Sequence, residues 1–298
     1  MDCRFLGHCS SYETKETCLT HAQHARPSAS PLLLACDWGY NIFGSQECRA
    51  DFSRRYTTLC PPMVKFIIAG LIKGEDASKT LNHATTFCSN SSVLACRFLV
   101  VGHSERDVRH LKAYRRRTNL EAMTILRDTS VHTGRVAGIA AARNKMLRWI
   151  RHNGRDAHYV AVADLDGVAT FQPNRELLTV LDTASLWDVV SFTSRHYYDL
   201  WALRCRGKQD NCWASTPHTC KRRLFTCLDD VPPTGFVDVD SAFNGLAIYR
   251  TSALLSGCRY DESESDCEHV SFHRCLKRQG FRILLSGTQH AIDEAAVR

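Results

Sequence analysis

No segment of this sequence is long and apolar enough to cross a bilayer. The best early run, Pro31-Leu32-Leu33-Leu34-Ala35-Cys36, falls far short of the ~20 residues that a spanning helix needs. It also lacks the charged flank and the position of a secretory signal peptide. There is no internal repeat. No cysteine spacing is C-x-x-C, so a zinc knuckle is excluded. His269 and His273 stand at i, i+4, but no Glu follows His269 as a metalloprotease motif requires. Extreme composition is absent too. The 298 residues are 44% hydrophobic and 23% charged, which argues against a disordered tail, a collagen-like repeat or a coiled coil. The net charge of +7 is too mild to mark a nucleic-acid binder, and no nucleic-acid partner is expected. The positive charge is concentrated. Residues 103–155 hold 13 Lys/Arg against 4 Asp/Glu, a stretch that either attracts phosphates or forms a solvated helix face.

Cysteine is abundant, at 15 residues. Six precede the first convincing strand: Cys3, Cys9, Cys18, Cys36, Cys48 and Cys60. Cys205, Cys212, Cys220 and Cys227 form a second cluster, whose pairing allows three connectivities. This usage reads as disulfides formed in an oxidising lumen. The odd total leaves at least one thiol free or bonded to another chain.

Residues 1–62 show no period and end at Pro61-Pro62; they read as an irregular, cysteine-rich extension to a domain spanning 63–298. From Val64 the pattern changes. Buried-strand runs at 64–72, 97–102, 122–126 and 158–163 alternate with helical stretches near 76–90, 105–117 and 135–151. Alternation of this kind specifies an α/β fold, a Rossmann-like and mostly parallel central sheet flanked by helices. Ligands of such sheets bind beyond the carboxyl ends of the strands, which is where Gly102-His103-Ser104 and Asp164-Leu165-Asp166 fall.

The segment Tyr159 to Val168 is the most specific in the chain. A hydrophobic strand delivers Asp164 and Asp166 to its end, and the strand period of two points both carboxylates the same way. Two close carboxylates repel unless a cation lies between them, and a hard divalent ion is the natural partner. Such an ion can neutralise a diphosphate leaving group. Two enzyme classes use the pattern. One is the nucleotide-sugar glycosyltransferase of GT-A type. The other is the haloacid-dehalogenase-type phosphatase, with Asp164 as nucleophile. About 100 residues of strand and helix pattern precede the aspartates, whereas that phosphatase class carries its motif on the first strand. No late acidic strand end completes a phosphatase site either.

Four further blocks occur in an order that resembles the fungal capsule-associated α-1,3-mannosyltransferase family and related algal and giant-virus sequences. They are Ala140 to Leu147 with Arg143-Asn144, Tyr197 to Arg204, Phe243 to Tyr249, and Asp266 to His273. The likeness covers roughly 64–293. The family usually carries Asn-Asp-Val where this chain has Asp-Leu-Asp-Gly-Val. The resemblance implies a GT-A fold, a nucleotide-sugar donor, a saccharide or glycan acceptor, and Mn²⁺ or Mg²⁺ as cofactor. With the aspartate motif, it makes Arg143, Asn144, Asp164 and Asp166 candidates for donor binding. Asp199, Trp201, Asn244 and Gly245 are candidates for the acceptor, since an aromatic beside a carboxylate suits a sugar. Glu268 and Asp266 are the catalytic candidates; both also suit a helix N-terminus by charge. His290, after the last strand, is the candidate third metal ligand beside Asp164 and Asp166. The expected activity is transfer of a hexose, plausibly mannose on the family likeness. The secretory-pathway (Golgi) lumen, or its equivalent for a virus-encoded protein, is the expected location. A catalytically inactive, carbohydrate-binding GT-A-like domain is the non-enzymatic alternative.

Overall fold

In the computed structural model the chain divides into two compact units, residues 1–63 and 64–298. The structure describes residues 37–40, 46–49 and 64–290, apart from 73, 75–76, 91, 130–133, 167, 173, 196, 208–211, 213–225 and 264. In the first unit the described residues are β1 (Asp37–Tyr40) and β2 (Gln46–Arg49), paired antiparallel with Asp37 opposite Arg49. The side chains of the six cysteines before Val64 lie outside the described residues.

The second unit is built on β3 (Val64–Ile72), α1 (Ser78–Cys88), β4 (Val93–Gly102), α2 (Glu105–Thr118), β5 (Met123–Arg127), α3 (Arg135–Asn153) and β6 (Tyr159–Asp164). It continues through the short helix α4 (Asn174–Leu178), β7 (Val189–Thr193), β8 (Arg204–Cys205), β9 (Phe236–Ser241), β10 (Leu246–Arg250), α5 (Thr251–Leu255), α6 (Glu268–Arg278) and β11 (Ile283–Gln289). One nine-stranded sheet runs β5-β4-β3-β6-β10-β7-β11-β9-β8. The expected α/β sheet with flanking helices is present. Its first half, β5-β4-β3-β6, is wholly parallel. In its second half β10 runs antiparallel to both neighbours, β7 and β11 are parallel, and β9 is antiparallel to β11.

Both faces of the sheet are covered, so its central strands are apolar on both sides. Ile67 and Ile68 point to opposite faces and are 0% and 1% exposed. On one face Ala140, Met146, Leu147 and Ile150 of α3 pack on Ile67, Leu99 and Val162. On the other, Leu81 and Phe87 of α1 and Leu111 and Tyr114 of α2 pack on Phe66, Ile68 and Phe98. The split follows from the strand order. From β3 the chain steps outward through β4 to β5, then returns past β3 to β6. A right-handed crossover that reverses direction must change faces, so α3 lies opposite α1 and α2. The reversal makes the carboxyl ends of β3 and β6 the switch point where a ligand crevice opens. There Leu71 pairs with Asp164.

The polar end of β4 does structural work. Ser104 caps α2: its Oγ accepts from Asp107 N at 3.1 Å, and Asp107 Oδ2 accepts from Ser104 N at 2.8 Å. Asp107 Oδ1 also accepts from Gly74 N at 2.9 Å, which ties the end of β3 to the same cap.

Disulfides join Cys88 to Cys96, Cys205 to Cys227 and Cys258 to Cys275. Cys212 is also disulfide-bonded; Cys220 lies outside the described residues. Cys267 is free and buried. Non-reduced peptide mapping is therefore expected to return these three linked pairs, with Cys267 alkylated only after denaturation. The Cys258–Cys275 bridge closes a separation of 17 residues. Replacing both by Ser is expected to cost about 3 kcal/mol in urea unfolding.

Candidate functional site

Arg143 lies on α3, on the side that faces the sheet. Its side chain is only 4% exposed. Its Nη2 donates to Asp164 Oδ1 at 3.2 Å and its Nε to Glu268 Oε1 at 3.2 Å. One cation thus joins the end of β6 to the first turn of α6. The guanidinium also lies over the rings of Phe243, at 4.9 Å, and Tyr260, at 5.8 Å. Burial works against its charge, but Glu268 and Asp164 outweigh that and keep it protonated.

Asp164 is held from a second side. Tyr198 OH donates to its Oδ2 at 2.6 Å. Burial and the neighbouring Asp164 push the Tyr198 phenol well above its ordinary range, so it stays a donor. Asp166 is exposed, and its Oδ1 accepts from Val168 N at 3.3 Å. The two aspartates therefore differ: one is fixed by Arg143 and Tyr198, and the other faces solvent.

The Asn244-Gly245 turn seats Tyr198. Both residues have positive φ, 53° and 82°, which Asn tolerates and Gly favours. Asn244 Oδ1 accepts from Tyr198 N at 3.0 Å, and its Nδ2 donates to Phe192 O and Ser194 Oγ. Gly245 O accepts from Asp164 N at 2.9 Å. A Cβ on Gly245 would stand 3.2 Å from the Tyr198 ring and from Val168. Asn244 is fully buried, so the pair sequence reading placed on the acceptor is observed knitting strand ends together.

Asp199 completes a group of acids. Burial, reinforced by Asp164 and Glu268, pushes its carboxyl up to about 7, against the opposing pull of the Ala202 amide and Arg143. Its Oδ1 accepts from Ala202 N at 3.3 Å. Glu268 is 7% exposed; besides Arg143, its Oε2 accepts from the Cys267 thiol at 3.5 Å. His269 stacks on Phe243 with ring centroids 3.8 Å apart. Burial, then Arg143, depresses its pKa well below the usual imidazole value, so it is neutral.

The other candidates lie as follows. Asp266 Oδ1 accepts from Arg204 Nη2 at 2.6 Å and from Cys267 N at 2.8 Å, while its Oδ2 faces Arg274. Those contacts tie β8 to α6. Asn144 binds both the N–H and the C=O of Tyr260 and donates to Glu262, pinning the segment before α6. Trp201 is 38% exposed. His290 is 1% exposed, with Nε2 2.8 Å from the Asn244 carbonyl, so in this arrangement that nitrogen is a proton donor. Among the described residues no three His, Cys, Asp or Glu are grouped to hold a metal ion. Tyr198 is the site residue that sequence reading passed over. Its signal was a second tyrosine beside Asp199, in a block already singled out after a buried strand.

No family model and no curated protein matches the chain. Among solved structures, it is similar to residues 1–349 of S. aureus TarS at 12% identity and a TM-score of 0.46, covering 76% of this chain and 59% of that one. It is similar to a mannosyltransferase, PcManGT from Pyrobaculum calidifontis in complex with GDP-Man and Mn²⁺, at 13% identity and a TM-score of 0.47, with the same coverage. TarS 1–349 in complex with UDP gives 13% and 0.44. The chain spans about three fifths of the length of these chains, 59 to 60%. Likeness at this level carries no inference about substrate; that comes from the site.

Removing Arg143 leaves Asp164 and Glu268 without their shared cation. Arg143→Met is expected to destabilise the fold by about 3–5 kcal/mol in urea. Asp199 gives a pH signature. A carboxyl whose folded pKa is raised binds its proton more tightly than the unfolded chain does. Its contribution therefore lowers stability as pH rises from the unfolded value, near 3.8, through about 7. Asp199→Asn is expected to raise the melting temperature relative to wild type more at pH 7.5 than at pH 5. An equal shift at both pH values would show that Asp199 is not held protonated.

Proposed function

We propose that this chain is a nucleotide-sugar glycosyltransferase. It moves a hexose, mannose by the family resemblance, from a nucleoside diphosphate to a hydroxyl of a saccharide acceptor. The observation that carries the reading is the Asp164/Asp166 pair at the carboxyl end of the switch-point strand, with Asp164 backed by a buried, doubly paired Arg143.

The donor chemistry fits a hard divalent ion. Asp166 presents an exposed carboxylate, and Asp164 lies two positions before it along the chain. Two carboxylates hold such an ion when oxygens of the diphosphate and of water complete its shell. Bound there, Mn²⁺ or Mg²⁺ would supply positive charge to the leaving diphosphate.

The chain's own residues do the rest. Arg143 and Tyr198 fix the Asp164 carboxylate before substrate arrives, so no reorganisation is needed during reaction. Glu268 keeps Arg143 in place. Asp199 faces the acceptor. With its pKa at about 7, it is poised to take the hydroxyl proton near neutral pH. The bond from the acceptor oxygen to the anomeric carbon forms, and the bond from that carbon to the diphosphate oxygen breaks. Its electron pair leaves with the diphosphate, and the hydroxyl proton goes to Asp199. Trp201 offers an exposed ring for the apolar face of a sugar.

The disulfides fit work in an oxidising, secretory-type lumen or its equivalent for a virus-encoded protein.

Calorimetric titration of GDP- and UDP-hexoses with and without Mn²⁺ tests the reading. Binding is expected with Mn²⁺ and not without it. Asp166→Ala should weaken it by about tenfold or more at an unchanged melting temperature; unchanged affinity would reject the metal assignment. In turnover assays Asp199→Asn should lower kcat by about 100-fold while donor affinity holds. Hydrolysis of a generic phosphomonoester that disappears in Asp164→Asn would put a phosphatase in place of the transferase.

A further inference from the structure

The solvent side of α2 is basic along its whole length. Arg106, Arg109, His110, Lys112, Arg116 and Arg117 are all exposed, while Val108, Leu111 and Tyr114 on the opposite side are buried. The helix has 14 residues, so this face extends for about 20 Å. Its charge is not compensated. The two acids of the first turn are occupied elsewhere: Glu105 pairs with Arg127, and Asp107 closes the capping box. Among the described residues Arg106, Arg109, Lys112, Arg116 and Arg117 make no ion pair. A solvated helix normally intersperses both signs on its exposed side; here Glu105, already paired with Arg127, is the one exposed acid of the helix beside five cations.

A cavity of about 310 Å³ opens between α2 and the first turn of α1. Ile72, Ala77 and Leu81 give it an apolar floor, and His110, Tyr114 and Arg117 line its α2 side. The Arg117 guanidinium lies over the Tyr114 ring at 5.7 Å, and Tyr114 OH is fixed by donating to Asn82 Oδ1 at 2.7 Å.

We propose that this face and its cavity bind an acidic saccharide chain, one bearing carboxylate, sulfate or phosphate groups. The row of cations matches a linear polyanion, and the apolar floor beneath Arg117 and His110 matches a sugar ring carrying an acidic substituent. A bilayer fits less well. The basic face carries no large apolar side chain, only Ala113, that could enter the headgroup region, and a planar membrane leaves a concave cavity unfilled. A nucleic acid is disfavoured by the Cys88–Cys96 disulfide, which joins the end of α1 to β4 and belongs to compartments where nucleic acid is scarce. Occupancy of this face is read without turnover.

The test is fluorescence anisotropy on the full chain, with a labelled sulfated heparin oligosaccharide as probe. A neutral dextran oligosaccharide, single-stranded DNA and phosphatidylserine vesicles serve as competitors. The wild type is expected to bind the sulfated probe in a salt-sensitive manner, with none of the three competitors displacing it at matched concentration. The triple variant Arg109→Gln/Lys112→Gln/Arg116→Gln should bind about 100-fold more weakly. A variant losing the same charge elsewhere, Arg148→Gln/Arg259→Gln/Arg278→Gln, should bind as the wild type does. Arg117→Gln should weaken binding and make it less salt-sensitive. Acetylation footprinting of the unmutated chain gives an independent reading, in which the probe should protect Lys112. Equal loss in both triple variants, displacement by DNA or by vesicles, or an unprotected Lys112 would each overturn the proposal. A failure of nucleotide-sugar binding would leave it untouched.

Discussion

The site depends on one buried cation. Arg143 reaches across the carboxyl end of the sheet to hold Asp164 on β6 and Glu268 at the start of α6, elements 125 residues apart in one of those contacts. A buried charge is costly unless it is paired and hydrogen-bonded. Here the cost is offset by two carboxylates and two aromatic faces. The same pairing fixes the distance between the parallel half of the sheet and the helix that closes the second half. Apolar side chains in place of Arg143, Asp164 and Glu268 together would pack the core at least as well, so packing alone does not explain an arginine at this position. It is better accounted for by the need to present Asp164 in one orientation.

The Asn244-Gly245 turn performs the complementary task with backbone groups. It receives the Asp164 amide and positions the Tyr198 amide, and it leaves the Tyr198 ring just enough room to deliver its hydroxyl to Asp164. Arg143 comes from one side of the carboxylate and Tyr198 from the other, each positioned by a different part of the chain. This double constraint is what local rigidity around a reacting group requires.

The parallel half of the fold was legible because β3, β6 and the second half of β4 are apolar runs buried on both faces. Ile67-Ile68 and Val160 to Ala163 announce themselves without any partner in view. The reversal after β5 was not legible in the same way, because the handedness of crossovers decides which face a helix covers once the strand order is known, not the order itself. The direction of β10, too, lies in no local pattern, because Leu246 to Tyr249 would be equally apolar in either orientation. The site divides in the same way. Asp164 and Asp166 could be read from their place at a strand end. Asn244 could be read as a turn, but not as the residue whose amide side chain holds Tyr198, because that contact spans 46 residues. Asp266 and Asn144 belong to blocks of the right kind, yet their hydrogen bonds are spent on Arg204 and on the Tyr260 backbone. A sequence block marks a neighbourhood; the direction of each side chain within it is set by tertiary packing.

The charge balance of the cluster carries its own consequence. Asp164 and Glu268 already outnumber Arg143, so a third ionised carboxylate in the same buried space meets repulsion from both. Burial, with that repulsion added, makes Asp199 keep its proton to about pH 7, and the same two causes keep the Tyr198 phenol protonated. Positive charge brought by a ligand to Asp164 and Asp166 would remove part of that repulsion, and the Asp199 proton would then be released at lower pH. A cation at Asp164 and Asp166 and the ionisation of Asp199 would thus be linked through Asp164.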